Sequence, residues 1–253
     1  MTRDDISENK NSHKSKLIPF ITTTILYFSL IEHTDRATTP STVLKCMPII
    51  SLLFFVVLTE TKTKEARRYS RCIWLGLCFS SVGDFLLNYD LFEAGMGAFG
   101  AAQVCYIVAF GFERLKFWIG AILYVGGIMA TALFYENLHS IIKICLPMYA
   151  VLLLTMCWRS LARIQTPNNL LQLACGISSI LFVLSDGIIA FDKFYTPIYS
   201  AQTYIMVTYY IAQAGITLSI TDHRLQIDEF ANTLGSPTQL YKKTASKNKS
   251  KSS

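Results

Sequence analysis

Apolar residues in this chain fall into eight long blocks, with polar residues gathered between them: Leu17–Ile31, Val43–Leu58, Cys72–Leu87, Leu91–Gly111, Phe117–Tyr135, Ile141–Trp158, Leu170–Ala190 and Ile198–Ile220. A helix crosses a hydrocarbon core with about 20 residues, and about 17–25 are tolerated. The first two blocks are short and draw on their polar flanks. No block alternates apolar and polar residues, which argues against a barrel of strands. The pattern predicts an all-α polytopic membrane protein with eight transmembrane helices. Residues 1–16 then form an N-terminal segment, 17–221 the membrane unit, and 222–253 a Lys/Ser-rich tail whose composition predicts disorder.

Composition sharpens this. Of 253 residues 52% are hydrophobic and only 16% charged, against roughly a quarter charged in a soluble chain. Disorder, a secreted disulfide scaffold and an ordinary cytosolic enzyme are excluded. Nineteen of the 23 Lys and Arg fall on the N-terminus, alternate loops and C-terminus; the exceptions are Arg36, Lys45, Lys143 and Lys193. Basic loops stay in the cytosol, so both termini are expected there. No small-residue cleavage site follows the first block, and a signal-anchor fits better than a removed leader. The net charge of +6 is that same bias; it gives some affinity for anionic lipid and no case for nucleic acid. The end Lys249-Ser-Lys251-Ser-Ser is similar to a dilysine retrieval signal of endoplasmic-reticulum membrane proteins, the alternative being a random Lys/Ser-rich tail.

Seven cysteines lie in or beside the blocks, with no CxxC pair and no His at zinc spacing, so they read as packing residues and no metal is expected. Gly95-Met-Gly97-Ala-Phe-Gly100 spells GxGxxG without the strand–turn–helix a dinucleotide needs. Close helix packing is the plainer use of these glycines.

The acids leave a remainder. Of 17, nine fall on the cytosolic side and six on the far side, which leaves Asp84 and Asp186. A carboxylate inside a membrane costs about 2.5–3.5 kcal/mol even on the lenient insertion scale, so it needs a partner or a wet cavity. Helical rise puts Asp84 about 20 Å beyond Arg71 and Asp186 about 24 Å beyond Leu170, with Lys45 about 6 Å in from Ser41 on the far side. All three converge on the outer, lumenal third, although a Lys there can also snorkel. Ser80, Ser81, Asp84 and Asn88 share one helix face, and Tyr210, Gln213 and Thr217 form a second polar stripe. The plain alternative for the hydroxyls is hydrogen bonding between helices.

Asp84-Phe-Leu-Leu-Asn-Tyr89-Asp90-Leu-Phe92 aligns without a gap with Asp186-Gly-Ile-Ile-Ala-Phe191-Asp192-Lys-Phe194, and Lys45-Cys-Met-Pro48 faces Lys143-Ile-Cys-Leu-Pro147 with one insertion. Either the chain is a parallel 4+4 repeat, with the two aspartates facing across a central cavity, or apolar segments match by chance.

The same segments carry a resemblance. Val43-Leu-Lys45-Cys-Met-Pro48-Ile, Ser80-Ser-Val-Gly83-Asp84-Phe-Leu-Leu, Phe92–Gly111, Leu184-Ser-Asp186 through Asp192-Lys193-Phe194, and Thr208-Tyr-Tyr-Ile-Ala-Gln213 resemble the YhhN-like lysoplasmalogenase family, closest to its animal transmembrane-protein-86 group. The resemblance implies an eight-span hydrolase of the endoplasmic-reticulum membrane. It would cleave the vinyl-ether bond of lysoplasmalogens to a fatty aldehyde and glycerophosphocholine or glycerophosphoethanolamine. In the fourth-block motif Phe92, Gly95, Phe99 and Tyr106 match, and Gln103 stands where a His is expected. The chemistry suits two carboxylates. Protonation at carbon gives an oxocarbenium ion that water captures, with one acid and one stabilising carboxylate as in glycosidases. Asp84 and Asp186 are the expected catalytic pair. Lys45, Asn88, Gln103, Tyr106, Lys193, Tyr210 and Gln213 are expected to contact substrate, with Lys45 or Lys193 on the phosphate. No cofactor is required, and no oligomeric state follows. Paired intramembrane acids also suit a proton-coupled transporter or lysolipid flippase, and Gln103 leaves room for an inactive lipid-binding homologue.

Overall fold

The computed structural model describes residues 15–31, 38–59, 63–139, 141–165 and 169–233. Within them the chain forms eight α-helices: α1 (Ile18–Leu30), α2 (Thr39–Leu58), α3 (Lys64–Asn88), α4 (Phe92–Phe110), α5 (Phe117–Phe134), α6 (Ile142–Ala162), α7 (Leu170–Phe194) and α8 (Ala201–Thr233). A short 3-10 turn, Tyr135–Asn137, follows α5, and no strand occurs among the described residues. α8 stays helical past residue 222, the expected start of the tail. The dilysine-like end of the tail and residues 1–14 lie outside the described residues.

Five helices, α2, α3, α4, α6 and α7, are each long and apolar enough to cross a membrane, so the protein is a multi-pass membrane protein. The other three fall short of the eight-span expectation for two reasons. α1 and the Phe117–Leu133 stretch of α5 are apolar but short. α8 is long, but it spends much of its buried face on Gln213, Thr217 and Ser219.

Local chemistry fixes the helix ends. Thr38 and Ser41 form a reciprocal capping box at the start of α2, the Thr63 hydroxyl accepts from Ala66 N on α3, and Asn169 Oδ1 accepts from Gln172 N on α7. α3 ends in a Schellman arrangement. Asp90 takes a left-handed φ of 58°, and the Leu91 and Asp90 amides donate to Leu86 and Leu87 carbonyls. This tight reversal lays α4 back along α3.

The packing follows a regular order. α1 packs on α2, α2 on α3 and α3 on α4; α5 packs on α6, α6 on α7 and α7 on α8. Contacts of α4 with α6 and of α3 with α8 close a ring of α3, α4, α6, α7 and α8. α2 docks on α3 and α8. α5 lies outside against α6, its apolar side chains exposed, such as Ile128 at 69%. In a membrane protein that surface is the one lipid covers. Inside the ring, α3 and α4 approach closely because α3 carries glycines. A Cβ at Gly83 would stand 2.6 Å from the Phe99 ring, and one at Gly76 would overlap the Tyr106 ring. Of the GxGxxG glycines, Gly95 is needed against Leu87, whereas Gly97 faces open space.

Candidate active site

Asp84 sits one turn before the end of α3 and is 2% exposed. Lys45 of α2 brings its Nζ to 3.6 Å from Asp84 Oδ1, and the Tyr209 hydroxyl of α8 donates to Oδ2 at 2.7 Å. Lys45 lies three residues before Pro48. Proline lacks the N–H that would bond the Leu44 carbonyl, which loosens the helix there. The Tyr210 hydroxyl donates to the neighbouring carbonyl, that of Lys45, at 2.9 Å. A buried ion pair survives only when further hydrogen bonds complete it; here the Tyr209 hydroxyl completes the carboxylate, while Tyr210 ties α8 to the α2 backbone that carries Lys45.

Asp186 on α7 has a different environment. The Tyr149 hydroxyl of α6 donates to its Oδ2, and no basic side chain pairs with it among the described residues. Asp186 and Tyr149 line a cavity of about 40 Å³ whose other walls are apolar, Met96, Phe99, Leu146 and Ile189 among them. The Lys193 Nζ lies 4.5 Å above the ring of Phe92, which is part of the wall; Lys193 itself does not line the cavity. Lys143, the partner of Lys45 in the aligned segments, is elsewhere, over the Tyr135 ring at 5.5 Å. Lys143 precedes Tyr149 by six residues, about 9 Å along α6 and about 120° round it.

The two carboxylates share no hydrogen bond, and only Asp186 lines this cavity. Rings of Phe99, Phe182 and Tyr209 meet edge to face near both, with centroids 5.6–6.5 Å apart. Phe182 is one turn from Asp186, and Tyr209 carries the hydroxyl that holds Asp84.

The other expected contacts divide. Gln213 Nε2 donates to Ser80 Oγ at 2.9 Å, and the Tyr106 hydroxyl donates to Gln213 Oε1 at 2.8 Å, a buried network joining α3, α4 and α8. Thr217 bonds back to the Gln213 carbonyl within its own helix. Asn88 donates to Ser41 at 3.0 Å and Thr42 at 2.7 Å, tying α3 to α2. Gln103 is wholly buried, in reach of the Tyr149 hydroxyl, and neither amide atom makes a hydrogen bond. Sequence reasoning missed Tyr149 and Tyr209. Tyr209 adjoins Tyr210 on the polar stripe, so its signal was present; Tyr149 carries none beyond its place two residues after Pro147.

A YhhN family profile matches residues 40–220. The chain belongs to the YhhN family. It is 31% identical over 225 residues to lysoplasmalogenase TMEM86A of Bos taurus, covering 87% of this chain and 94% of that protein. The human TMEM86A lysoplasmalogenase is 31% identical over 88% of this chain and 95% of its own length. Human lysoplasmalogenase TMEM86B is 31% identical over 80% of this chain and 85% of its own. No solved structure shows a significant match. The YhhN match includes Lys45, Asp84, Tyr149, Asp186 and Tyr209, and stops short of α1.

Proposed function

We propose that the protein hydrolyses the vinyl-ether bond of lysoplasmalogens, giving a fatty aldehyde and glycerophosphocholine or glycerophosphoethanolamine, with Asp186 as the acid and Asp84 as the stabilising carboxylate. The observation that carries this reading is the unequal setting of the two aspartates. Asp84 has a cation at 3.6 Å as counter-charge. Asp186 has one tyrosine hydroxyl, an apolar wall and no basic partner among the described residues.

Asp186 delivers its proton to the outer alkenyl carbon, which leaves an oxocarbenium ion at the ether carbon. The Asp84 carboxylate, fixed by Lys45 and Tyr209, stabilises the cation. Water adds to the ether carbon and returns a proton to the Asp186 carboxylate; the hemiacetal then collapses, its hydroxyl proton passing to the departing glycerol oxygen. The site needs no cofactor for these steps. The cavity has room for the reacting atoms and water, so the alkenyl chain lies along the apolar helix surfaces. Lys193, exposed beside the lining residue Phe92, holds the substrate phosphate; Lys45 is engaged with Asp84.

In this reading all eight helices cross the endoplasmic-reticulum membrane, with both termini cytosolic, as the distribution of Lys and Arg supports. The 4+4 repeat is supported by the matching neighbour order of α1–α4 and α5–α8.

Full-length protein in nanodiscs, given lysoplasmenyl-phosphoethanolamine, should release fatty aldehyde. Asp186→Asn and Asp84→Asn should each abolish release while the protein stays folded. Wild-type rates in both variants would sink the assignment. Passage of intact substrate without aldehyde would point to the transporter.

A further inference from the structure

Lys64, Arg67, Arg68 and Arg71 line, together with Cys72, a groove of about 360 Å³ at the N-terminal end of α3. Their spacing of three and four residues places them on one helix face. All four side chains are exposed, and none is ion-paired among the described residues. Glu65 is the acid of the first turn and lies off the groove wall.

This arrangement is unfavourable for an isolated helix. Cations in the first turns oppose the positive end of the helix dipole. Lys64 with Arg68, and Arg67 with Arg71, are like charges four residues apart, which repel. A basic loop bias accounts for cations at this end of α3, but any distribution around the helix would satisfy that bias. Convergence on one groove calls for an anion that offsets both repulsions. Three of the four are Arg, whose planar fork matches phosphate oxygens in pairs.

The position selects the source of the anion. Cys72 closes the groove and opens the apolar part of α3, a helix long enough to cross a membrane. Trp74, two residues on and 37% exposed, is the residue type that settles at the head-group level. The cations therefore lie where bilayer phosphates lie. We propose that this groove binds the phosphate-bearing head group of an anionic phospholipid of the surrounding leaflet, separately from the site at Asp84 and Asp186.

The test uses full-length protein in phosphatidylcholine vesicles containing spin-labelled phosphatidylserine or spin-labelled phosphatidylcholine, with the protein-bound fraction read by electron paramagnetic resonance. Wild-type protein should prefer phosphatidylserine, and each cation removed should weaken that preference by about fivefold, by the usual strength of one surface cation. The triple variant Arg67→Gln/Arg68→Gln/Arg71→Gln should lose it, and the matching Lys triple variant should keep much of it. Neutralising Lys242, Lys243 and Lys247 in the tail should leave the preference intact. An unchanged preference in the Gln triple variant would overturn the proposal, and so would equal loss in the tail variant. Full displacement of the lipid by millimolar inorganic phosphate would overturn the lipid as occupant.

Discussion

Lys45 and Asp84 meet at 3.6 Å with side chains only 9% and 3% exposed, an ion pair enclosed between α2 and α3. Removing one member of such a pair strands the other charge, and the penalty is typically about 3–5 kcal/mol. Lys45→Met should therefore lower thermal stability in detergent markedly, whereas Lys45→Met/Asp84→Asn should recover most of it. Neither variant should release aldehyde, because the stabilising carboxylate is misplaced in one and missing in the other. Recovery of stability together with activity in the double variant would show the pair to be structural alone.

Tyr149 and Tyr209 each hold one of the two proposed catalytic carboxyls by a single hydroxyl. A hydrogen bond to a charged group is worth about 1.5–3 kcal/mol. Tyr209→Phe should lower kcat by about 10–150-fold on that scale, and Tyr149→Phe, whose partner is the protonated Asp186, by about 2–13-fold on the neutral scale of about 0.5–1.5 kcal/mol, with KM nearly unchanged in both. A change confined to KM would argue that the hydroxyls contact substrate rather than the aspartates.

Gln103 offers a cleaner separation of stability from activity. Its amide is buried without a hydrogen bond, and an unmet polar group of this kind costs about 1–3 kcal/mol. Gln103→Leu should keep or raise the melting temperature. If the amide engages substrate or water during turnover, aldehyde release should fall in the same variant. Unchanged activity would make Gln103 a tolerated packing residue and remove it from the site.

Gly83 sets the position of Phe99 beside Asp84, because an added Cβ would stand 2.6 Å from the ring. Gly83→Ala should destabilise by about 1–3 kcal/mol, the usual range for overpacking. Gly83→Ala/Phe99→Leu should regain part of the loss, since the smaller side chain gives way. A melting curve for Gly83→Ala identical to wild type would contradict the close α3–α4 approach.

Carbon protonation leaves an isotopic record. Turnover in heavy water should place one solvent deuterium on the carbon next to the aldehyde group, seen by mass spectrometry of the trapped product. Because that carbon gains a solvent hydrogen by every route to the aldehyde, the discriminating reading is the rate: turnover should be slower in heavy water than in ordinary water, and equal rates would exclude carbon protonation as the slow step.

How far the sequence reaches can be followed residue by residue. The apolar blocks marked where the eight helices lie, five of them long and apolar enough to cross a membrane, because burying an apolar helix in lipid needs only a run of apolar side chains. Charge sorting isolated Asp84 and Asp186 for an equally local reason: a carboxylate within an apolar block is unfavourable wherever the helix packs. Lys45 was legible through its depth alone. What the sequence left open depends on rotation and neighbours. Nothing in the order of residues tells Tyr209 from Tyr210, yet only Tyr209 turns its hydroxyl to Asp84. The aligned segments gave each aspartate a lysine. The tertiary structure keeps one, because Lys143 stands about 120° round α6 from the face that meets Asp186. Hydrophobicity is summed along a chain and survives loss of detail, whereas an acid's partner is set by angles between packed helices, which only the folded bundle fixes.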